Sequence, residues 1–170
     1  MKRVLKEFDV PFSGLTTGKH HFEFEANKRF FEEFAYSEVE DARVSVKLQL
    51  NKMSTFLELD FELSGELLLP CDVCTVLFWQ PIKGRKTMVV KYGEEYNDDE
   101  DELVVIPRSD TSVNVAQMIY EQVVLSTPSK VVHPEGECDE EMIQQLNKYK
   151  VSETNKETID PRWEKLKKLN

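Results

Sequence analysis

The feature that most constrains the fold is an alternation of apolar and polar residues that ends in a pair of cysteines. Apolar residues occupy the odd positions of this run, and acidic residues separate the first four of them: Leu57, Leu59, Phe61, Leu63, Leu67, Leu69 and Cys71. This pattern is typical of a strand with one face in a core. Pro70 lacks a backbone N–H, so ladder pairing should stop there and the chain should turn. The sequence therefore predicts a sheet that presents Cys71 and Cys74 at one end of a strand.

The spacing of Cys71 and Cys74 suits a zinc knuckle, in which both sulfurs of a tight turn face one tetrahedral ion. A redox dithiol uses the same spacing, but its attacking thiolate is usually stabilised at a helix N-terminus. Residues 75–79 are strand formers instead. We predict a structural metal site, with inert thiols and redox chemistry as the alternatives.

A closed zinc site needs four ligands, and the cysteine pair supplies two. Cys138 and His133 are candidates for the others, because Pro134 and Gly136 bend the loop between them. His20 and His21 are competing donors in an early strand-like run.

Length and cysteine content limit the general class of protein. A chain of 170 residues can bury one full core, or a core plus an appended arm, and its three cysteines do not suggest a disulfide framework. No apolar run approaches the ~20 residues of a membrane span, and the N-terminus lacks signal-peptide features. We expect a cytoplasmic protein.

The net charge of −10 is concentrated in residues 94–102, and the rest of the chain carries only −3. Such a run is usually a solvated loop, but it could also bind a basic protein or mimic a phosphate backbone. We name it the acidic segment. Its candidate partner-binding residues are Glu94, Glu95, Asp98, Asp99, Glu100, Asp101 and Glu102.

The predicted elements run from strands to helices. Strands are predicted at residues 4–12, 21–25, 43–50, 103–106 and on both sides of a hairpin turn at 83–86, with another turn at 51–52. Asn27 should cap a short helix over 28–36. Asn114 and Gln117 resemble a capping box for a helix over 115–126, whose apolar face includes Leu125, and a helix over 140–149 should direct Met142, Ile143 and Leu146 inward.

These elements predict an α+β domain over residues 1–149. Its antiparallel, partly barrel-like sheet carries the C-terminal helices packed on it and the Cys-x-x-Cys knuckle. Residues 150–170 are a polar linker and a basic amphipathic tail, in which Trp163, Leu166 and Leu169 fall at helical spacing. A helix this short needs a surface to dock on, either in its own domain or on a partner.

The motifs of common enzymes are absent from the sequence. It has no phosphate-binding loop, dinucleotide fingerprint, hydrolase elbow or H-E-x-x-H pair. We therefore expect a protein that is not an enzyme and has no small-molecule substrate.

The order of these motifs resembles one family. A glycine-containing strand leads into Cys71-x-x-Cys74; an aromatic strand, an acidic loop and a helix ending Ser126-Thr127-Pro128 follow, then His133 and Cys138, and the tail reads Asp160-Pro161-Arg162-Trp163 with Leu166 and Leu169. This sequence resembles the YceD family of large ribosomal RNA subunit accumulation proteins over about residues 4–169.

The resemblance implies a bacterial cytosolic factor that promotes synthesis, processing or stability of the 23S rRNA precursor. Family members are often encoded beside a small basic large-subunit ribosomal protein and have been described as candidate metal-binding and nucleic-acid-binding proteins. The family's metal ligands correspond by position to four residues of this chain, Cys71, Cys74, Cys138 and His133. The ion would be structural Zn²⁺.

One departure from the family bears on RNA binding. Members commonly carry arginine before the second cysteine, where this chain has Val73. Two other groups of basic residues therefore become the RNA-binding candidates: Lys83, Arg85 and Lys86, and in the tail Arg162, Lys165, Lys167 and Lys168. We expect a ribosome-biogenesis factor that binds precursor rRNA or a basic ribosomal protein. The alternative is an acidic interaction module that holds that ribosomal protein before assembly.

Overall fold

The structure, a computed structural model, describes residues 4–100 and 102–149. A short 3-10 helix (Val4–Phe8) comes first. The strands that follow are β1 (Asp9–Pro11), β2 (Gly18–Asn27), β3 (Asp41–Lys52), β4 (Phe56–Pro70), β5 (Leu77–Gly93), β6 (Asn97–Glu100), β7 (Leu103–Pro107) and β8 (Ser112–Asn114). The helices are α1 (Lys28–Phe31), α2 (Ala116–Ser126) and α3 (Glu140–Tyr149).

Six of the strands form one sheet in the order β2-β3-β4-β5-β7-β6, and β1 pairs with β8 in a separate ribbon. Strands β2 to β5 are an antiparallel meander. Strand β7 runs parallel to β5, and β6 pairs antiparallel to β7 at the edge. The predicted α+β class with a mostly antiparallel sheet is confirmed, and the sheet stays open between its edges β2 and β6.

The alternation in β4 determines which face of the sheet is buried. All six apolar residues predicted to point inward are buried: Leu57, Leu59, Phe61, Leu63, Leu67 and Leu69. Helix α2 packs over β5 on this face, through buried Met118, Ile119 and Val123. The 3-10 helix and α1 cover the β2–β3 side, where the rings of Phe8 and Phe30 lie 4.7 Å apart. The opposite face of the meander carries mainly polar and charged residues.

The predicted hairpin turn at residues 83–86 is wrong. Strand β5 continues through these residues, and Arg85 pairs with Glu62 of β4. A side chain at Gly84 would overlap the hydroxyl of Ser126 in α2. This glycine therefore allows the helix to approach the strand closely and does not make a turn.

The N-terminal half departs from the prediction in three further places. Residues 4–12 form the 3-10 helix and the three-residue β1 in place of one strand. Helix α1 is a single turn, although Asn27 caps it as predicted by accepting the N–H of Arg29. Residues 51–52 belong to β3, and the turn follows them, where the N–H of Met53 donates to the carbonyl of Phe56.

The C-terminal half departs from the prediction mainly in which side chains are exposed. Asn114 accepts the N–H of Ala116, but Gln117 donates to Glu121 and so does not complete a capping box. Leu125 and Leu146 are exposed although they were predicted to be buried. Helix α3 contains no buried residue. Within the acidic segment, β6 replaces part of the expected loop.

No helix in the described residues has the length and apolar character needed to span a membrane.

Gly65 allows β3 and β4 to approach closely, since a methyl group there would overlap the carbonyl oxygen of Arg43. We predict that Gly65→Ala lowers the free energy of unfolding by about 3 kcal/mol through overpacking. Gly14→Ala is the matched control, because a methyl group there meets nothing within 4 Å. Urea unfolding of both variants tests this; equal stabilities would contradict the close approach.

Candidate metal centre

The candidate metal centre joins two segments that are far apart in sequence. Residues 71–76 connect Pro70 of β4 to Leu77 of β5, which pair at the end of the hairpin. Residues 127–139 connect α2 to α3. The first segment supplies Cys71 and Cys74, and the second supplies His133 and Cys138.

Backbone hydrogen bonds fold the first segment into a compact turn. The N–H of Thr75 donates to the carbonyl of Cys71 at 2.8 Å, and the N–H of Cys71 donates to the carbonyl of Val76 at 3.1 Å. Thr75 has φ 62°, a left-handed conformation that is unusual for a β-branched residue. The N–H of Val73 lies 3.4 Å from the Cys71 sulfur. The predicted knuckle is therefore present in the backbone.

Asp72, which the sequence analysis did not single out, connects the two segments. Its N–H donates to the carbonyl of Val131 at 2.8 Å, and its carboxylate accepts the N–H of Val131 at 2.7 Å. His133 lies two residues further on, and its ring stacks on Phe78 with centroids 4.3 Å apart. Asp72 and Phe78 thus position the imidazole over the knuckle.

The four candidate ligands converge on one point, with their ligand atoms all within 4.8 Å of one another. The sulfurs of Cys71 and Cys138 are 3.9 Å apart. Nδ1 of His133 is 3.4 Å from the Cys74 sulfur and 3.8 Å from the Cys138 sulfur. A tetrahedral ion with bonds of about 2.3 Å to sulfur and about 2.0 Å to nitrogen requires separations of about 3.5–3.8 Å. The cluster could therefore hold a metal ion.

Burial and hydrogen bonding affect the protonation of these thiols in opposite directions. Burial raises the pKa of Cys71, but hydrogen bonds from the Cys74, His133 and Val73 backbones and from the His133 ring outweigh it and lower the pKa to about 6. Burial, together with the neighbouring Cys71 and Cys74, raises the pKa of Cys138 to about 11. These hydrogen bonds favour the thiolate form of Cys71, which is the form that binds metals.

The geometry excludes the competing histidines from the cluster but does not exclude redox chemistry. His20 and His21 lie in β2, outside the cluster, and Nε2 of His20 contacts the carbonyl of Thr16. The residues after Cys74 lead into β5, so the Cys71–Cys74 pair does not itself begin a helix as a redox pair usually does. A lowered pKa at Cys71 is compatible with both metal binding and redox chemistry.

The structure distributes the predicted RNA-binding residues over different surfaces. Lys83 and Arg85 point outward from the polar face of the sheet, whereas Lys86 points to the face that carries α2. Arg85 pairs with Glu62 at 2.6 Å. The four basic tail residues, Arg162, Lys165, Lys167 and Lys168, lie outside the described residues.

The acidic segment lies at the β6 edge of the sheet. Its carboxylates are exposed at all six described positions: Glu94, Glu95, Asp98, Asp99, Glu100 and Glu102. Asp101 is outside the described residues. Asp98 accepts the phenolic hydroxyl of Tyr96 at 3.1 Å.

Two apolar residues beside the knuckle were not identified from sequence. Val76 and Leu77 are each about half exposed, at 48% and 47%. On the outer face of the same strand, Trp79 lies under the guanidinium of Arg43, which is 4.1 Å from the ring centroid.

The fold and the site together define a class of protein: a small α+β domain whose longest hairpin ends in a Cys₃His cluster. A comparison with protein-family models identifies the family, since residues 59–170 match the model described as "Large ribosomal RNA subunit accumulation protein YceD". The match covers more than half of the chain, so the protein belongs to the YceD family. Neither the curated proteins nor the solved structures gave a match.

The thiol pKa values predict how the stability of the metal-free protein depends on pH. The pKa of Cys71 is lowered from 9.0 to about 6, so its stabilising contribution is present above pH ~9 and is lost as the pH falls through ~6. The pKa of Cys138 is raised to about 11, so its contribution is lost as the pH rises from ~9 to ~11. We expect maximum stability near pH 9.

Urea unfolding of zinc-free protein across this pH range, compared with Cys71→Ser, tests the prediction. The variant should lose the rise in stability between pH ~6 and ~9. The same slope in both proteins would show that Cys71 is not the group responsible.

Proposed function

We propose that this protein promotes the synthesis, processing or accumulation of large-subunit (23S) ribosomal RNA as a non-enzymatic factor that binds RNA. The family match over residues 59–170 is the observation that carries the proposal, because the family is named for accumulation of this RNA. The protein would act in the bacterial cytoplasm during ribosome biogenesis. Its partners would be precursor rRNA, a basic large-subunit ribosomal protein, or both.

In this proposal the Cys₃His cluster binds one structural zinc ion. Three sulfurs and one imidazole are a donor set that zinc uses in closed structural sites. Cys71 and Cys74 belong to the β4–β5 hairpin, whereas His133 and Cys138 precede α3. The ion would therefore fasten the segment before α3 to the end of the sheet. Its role would be to hold a surface in shape and not to activate a substrate.

In this proposal RNA contacts the outer face of the meander, where two of the predicted basic residues lie. It is solvent-exposed, and it carries Lys83 and Arg85 on β5 beside Arg43 on β3. Glu66 pairs with Arg43, and Glu62 pairs with Arg85. These carboxylates reduce the positive charge that the two arginines present to a ligand. Lys83, opposite Ser64 in the neighbouring strand, is therefore the better phosphate contact. Useful affinity would need further cations, which the tail can supply.

Removal of zinc tests the structural role of the cluster. Protein purified without chelators should contain a single zinc ion per chain. Chelation should raise hydrogen exchange in residues 71–76 and 131–138 and lower stability, because structural zinc contributes on the order of 10 kcal/mol. His133→Ala should lose the ion. His21→Ala is the matched control, since His21 is exposed in β2 away from the cluster.

An unchanged melting curve after exhaustive chelation would contradict the structural role. Cobalt substitution adds an independent measurement: a tetrahedral thiolate spectrum in the wild-type protein and in His21→Ala, but not in His133→Ala, is expected. Equal cobalt spectra in all three proteins would show that His133 is not a ligand of the ion.

Ultraviolet crosslinking of the tagged protein in growing cells, followed by sequencing of the attached RNA, tests the RNA proposal. We expect enrichment of a defined segment of large-subunit precursor rRNA. In vitro, Lys83→Glu should weaken binding about uniformly across sequences and reduce the salt slope by about one. Lys6→Glu is the matched control, because Lys6 is also exposed but lies on the 3-10 helix, which covers the other face of the sheet.

The acidic interaction module is the second candidate function, and one observation favours it. All six described carboxylates of the acidic segment are exposed at a sheet edge, where they can meet a basic protein. Replacing these carboxylates with amides distinguishes the two functions. Loss of ribosomal-protein binding with RNA crosslinking intact would support the module; absence of RNA crosslinks in the wild-type protein would contradict the first proposal.

A further inference from the structure

An open groove runs between α2 and the β5–β7–β6 edge of the sheet, with a volume of about 710 Å³. Its floor is apolar and includes Met88, Val104 and Met118. Two residues of α2, Val124 and Leu125, line the same groove and are 48% and 73% exposed. A groove of this size is within the ~300–1,000 Å³ typical of binding sites. These exposed apolar side chains could be buried by a segment that binds in the groove.

The rim of this groove is acidic. Asp98, Glu100 and Glu102 line it from the acidic segment and Glu121 lines it from α2, whereas Lys86 is the only basic residue among the described lining residues. Burial, the hydrogen bond to Asp98 and the charges of Asp98 and Glu121 together raise the pKa of Tyr96 at the rim. A negative, partly apolar groove suits a segment that carries both basic and apolar side chains.

The C-terminal tail of this chain has that composition. Residues 160–169 contain four basic and two acidic residues. Trp163, Leu166 and Leu169 fall at helical spacing, so one face of a helix there would be apolar. We propose that residues 160–169 bind in cis in the groove between α2 and the β6 edge, with these three apolar residues against Val124 and Leu125 and the basic residues against the acidic rim.

The linker is long enough for this arrangement. His133, shortly before α3, stacks on Phe78 near one end of β5, and Lys86 of the same strand lines the groove. The eight-residue separation along β5 is about 26 Å at ~3.3 Å per residue. Gln144 of α3 lines a surface cavity together with His133, and the last residue of α3, Tyr149, is about 8 Å further along the helix at ~1.5 Å per residue. The eleven residue spacings from Tyr149 to Asp160 can span up to about 36 Å, which exceeds the ~34 Å required.

This inference goes beyond the proposed function and gives the acidic segment a regulatory role. Arg162, Lys165, Lys167 and Lys168 are the tail residues proposed to contact RNA. When the tail occupies the groove, carboxylates take the place of phosphates around these cations. RNA, or a basic protein that enters the groove, would therefore compete with the docked state.

Tryptophan fluorescence of the full-length chain tests the docking. The sequence has two tryptophans, so Trp79→Phe leaves Trp163 as the only reporter. Docking should blue-shift the emission of Trp163 and protect it from acrylamide relative to the urea-unfolded chain. Leu125→Glu should abolish the shift. Asp98→Asn with Glu100→Gln should move the equilibrium roughly threefold to tenfold toward the undocked state, as loss of two exposed ion pairs implies.

Glu94→Gln with Glu95→Gln is the matched control, because these carboxylates belong to the acidic segment but do not line the groove. Circular dichroism establishes that each variant is folded. Equal exposure of Trp163 in the folded and unfolded chain, or protection unaffected by both groove variants, would overturn the proposal. Protection that depends on protein concentration would assign the tail to the groove of a second copy and overturn docking in cis.

Discussion

The pairing of β4 with β5 is the interaction on which the rest of the structure depends. The two strands pair from Phe56 opposite Lys91 to Pro70 opposite Leu77, the longest ladder in the described sheet. This register places Cys71 and Cys74 in the connecting turn, and it places Gly84 where α2 reaches the sheet. The knuckle, the helix contact and the outer polar face therefore all follow from one pairing. A slip of one strand by one residue would move its buried side chains to the opposite face of the sheet.

Different groups of side chains lie at the two ends of this hairpin. At the turn, three thiols and one imidazole meet in a largely buried cluster whose separations suit a tetrahedral ion. Toward the other end, β7 and β6 add an edge that carries the acidic segment beside α2. The candidate metal centre and the acidic groove therefore lie toward opposite ends of the same hairpin.

The residues of the candidate site could be predicted from the sequence, but the contacts that position them could not. Cys71, Cys74, His133 and Cys138 were identified from spacing and loop composition, and they converge as expected. The role of Asp72 could not be read from sequence, because it depends on a backbone partner 59 residues away. The same limit explains Gly84, which looks like a turn residue locally but is required by the neighbouring helix.

The sequence alone determined the α+β class, the buried face of β4 and the thiols at its end, because strand periodicity and proline act over a few residues. Only the tertiary structure decided that residues 83–86 continue a strand, that Lys86 faces away from Lys83, and that Leu125 is exposed. Those outcomes depend on the pairing of β5 with β4 and on the packing of α2 against β5, and these elements are distant from one another in sequence. The local sequence pattern gives a residue its preference for a strand, a helix or a turn. Packing against distant elements decides which surface of the protein the residue occupies.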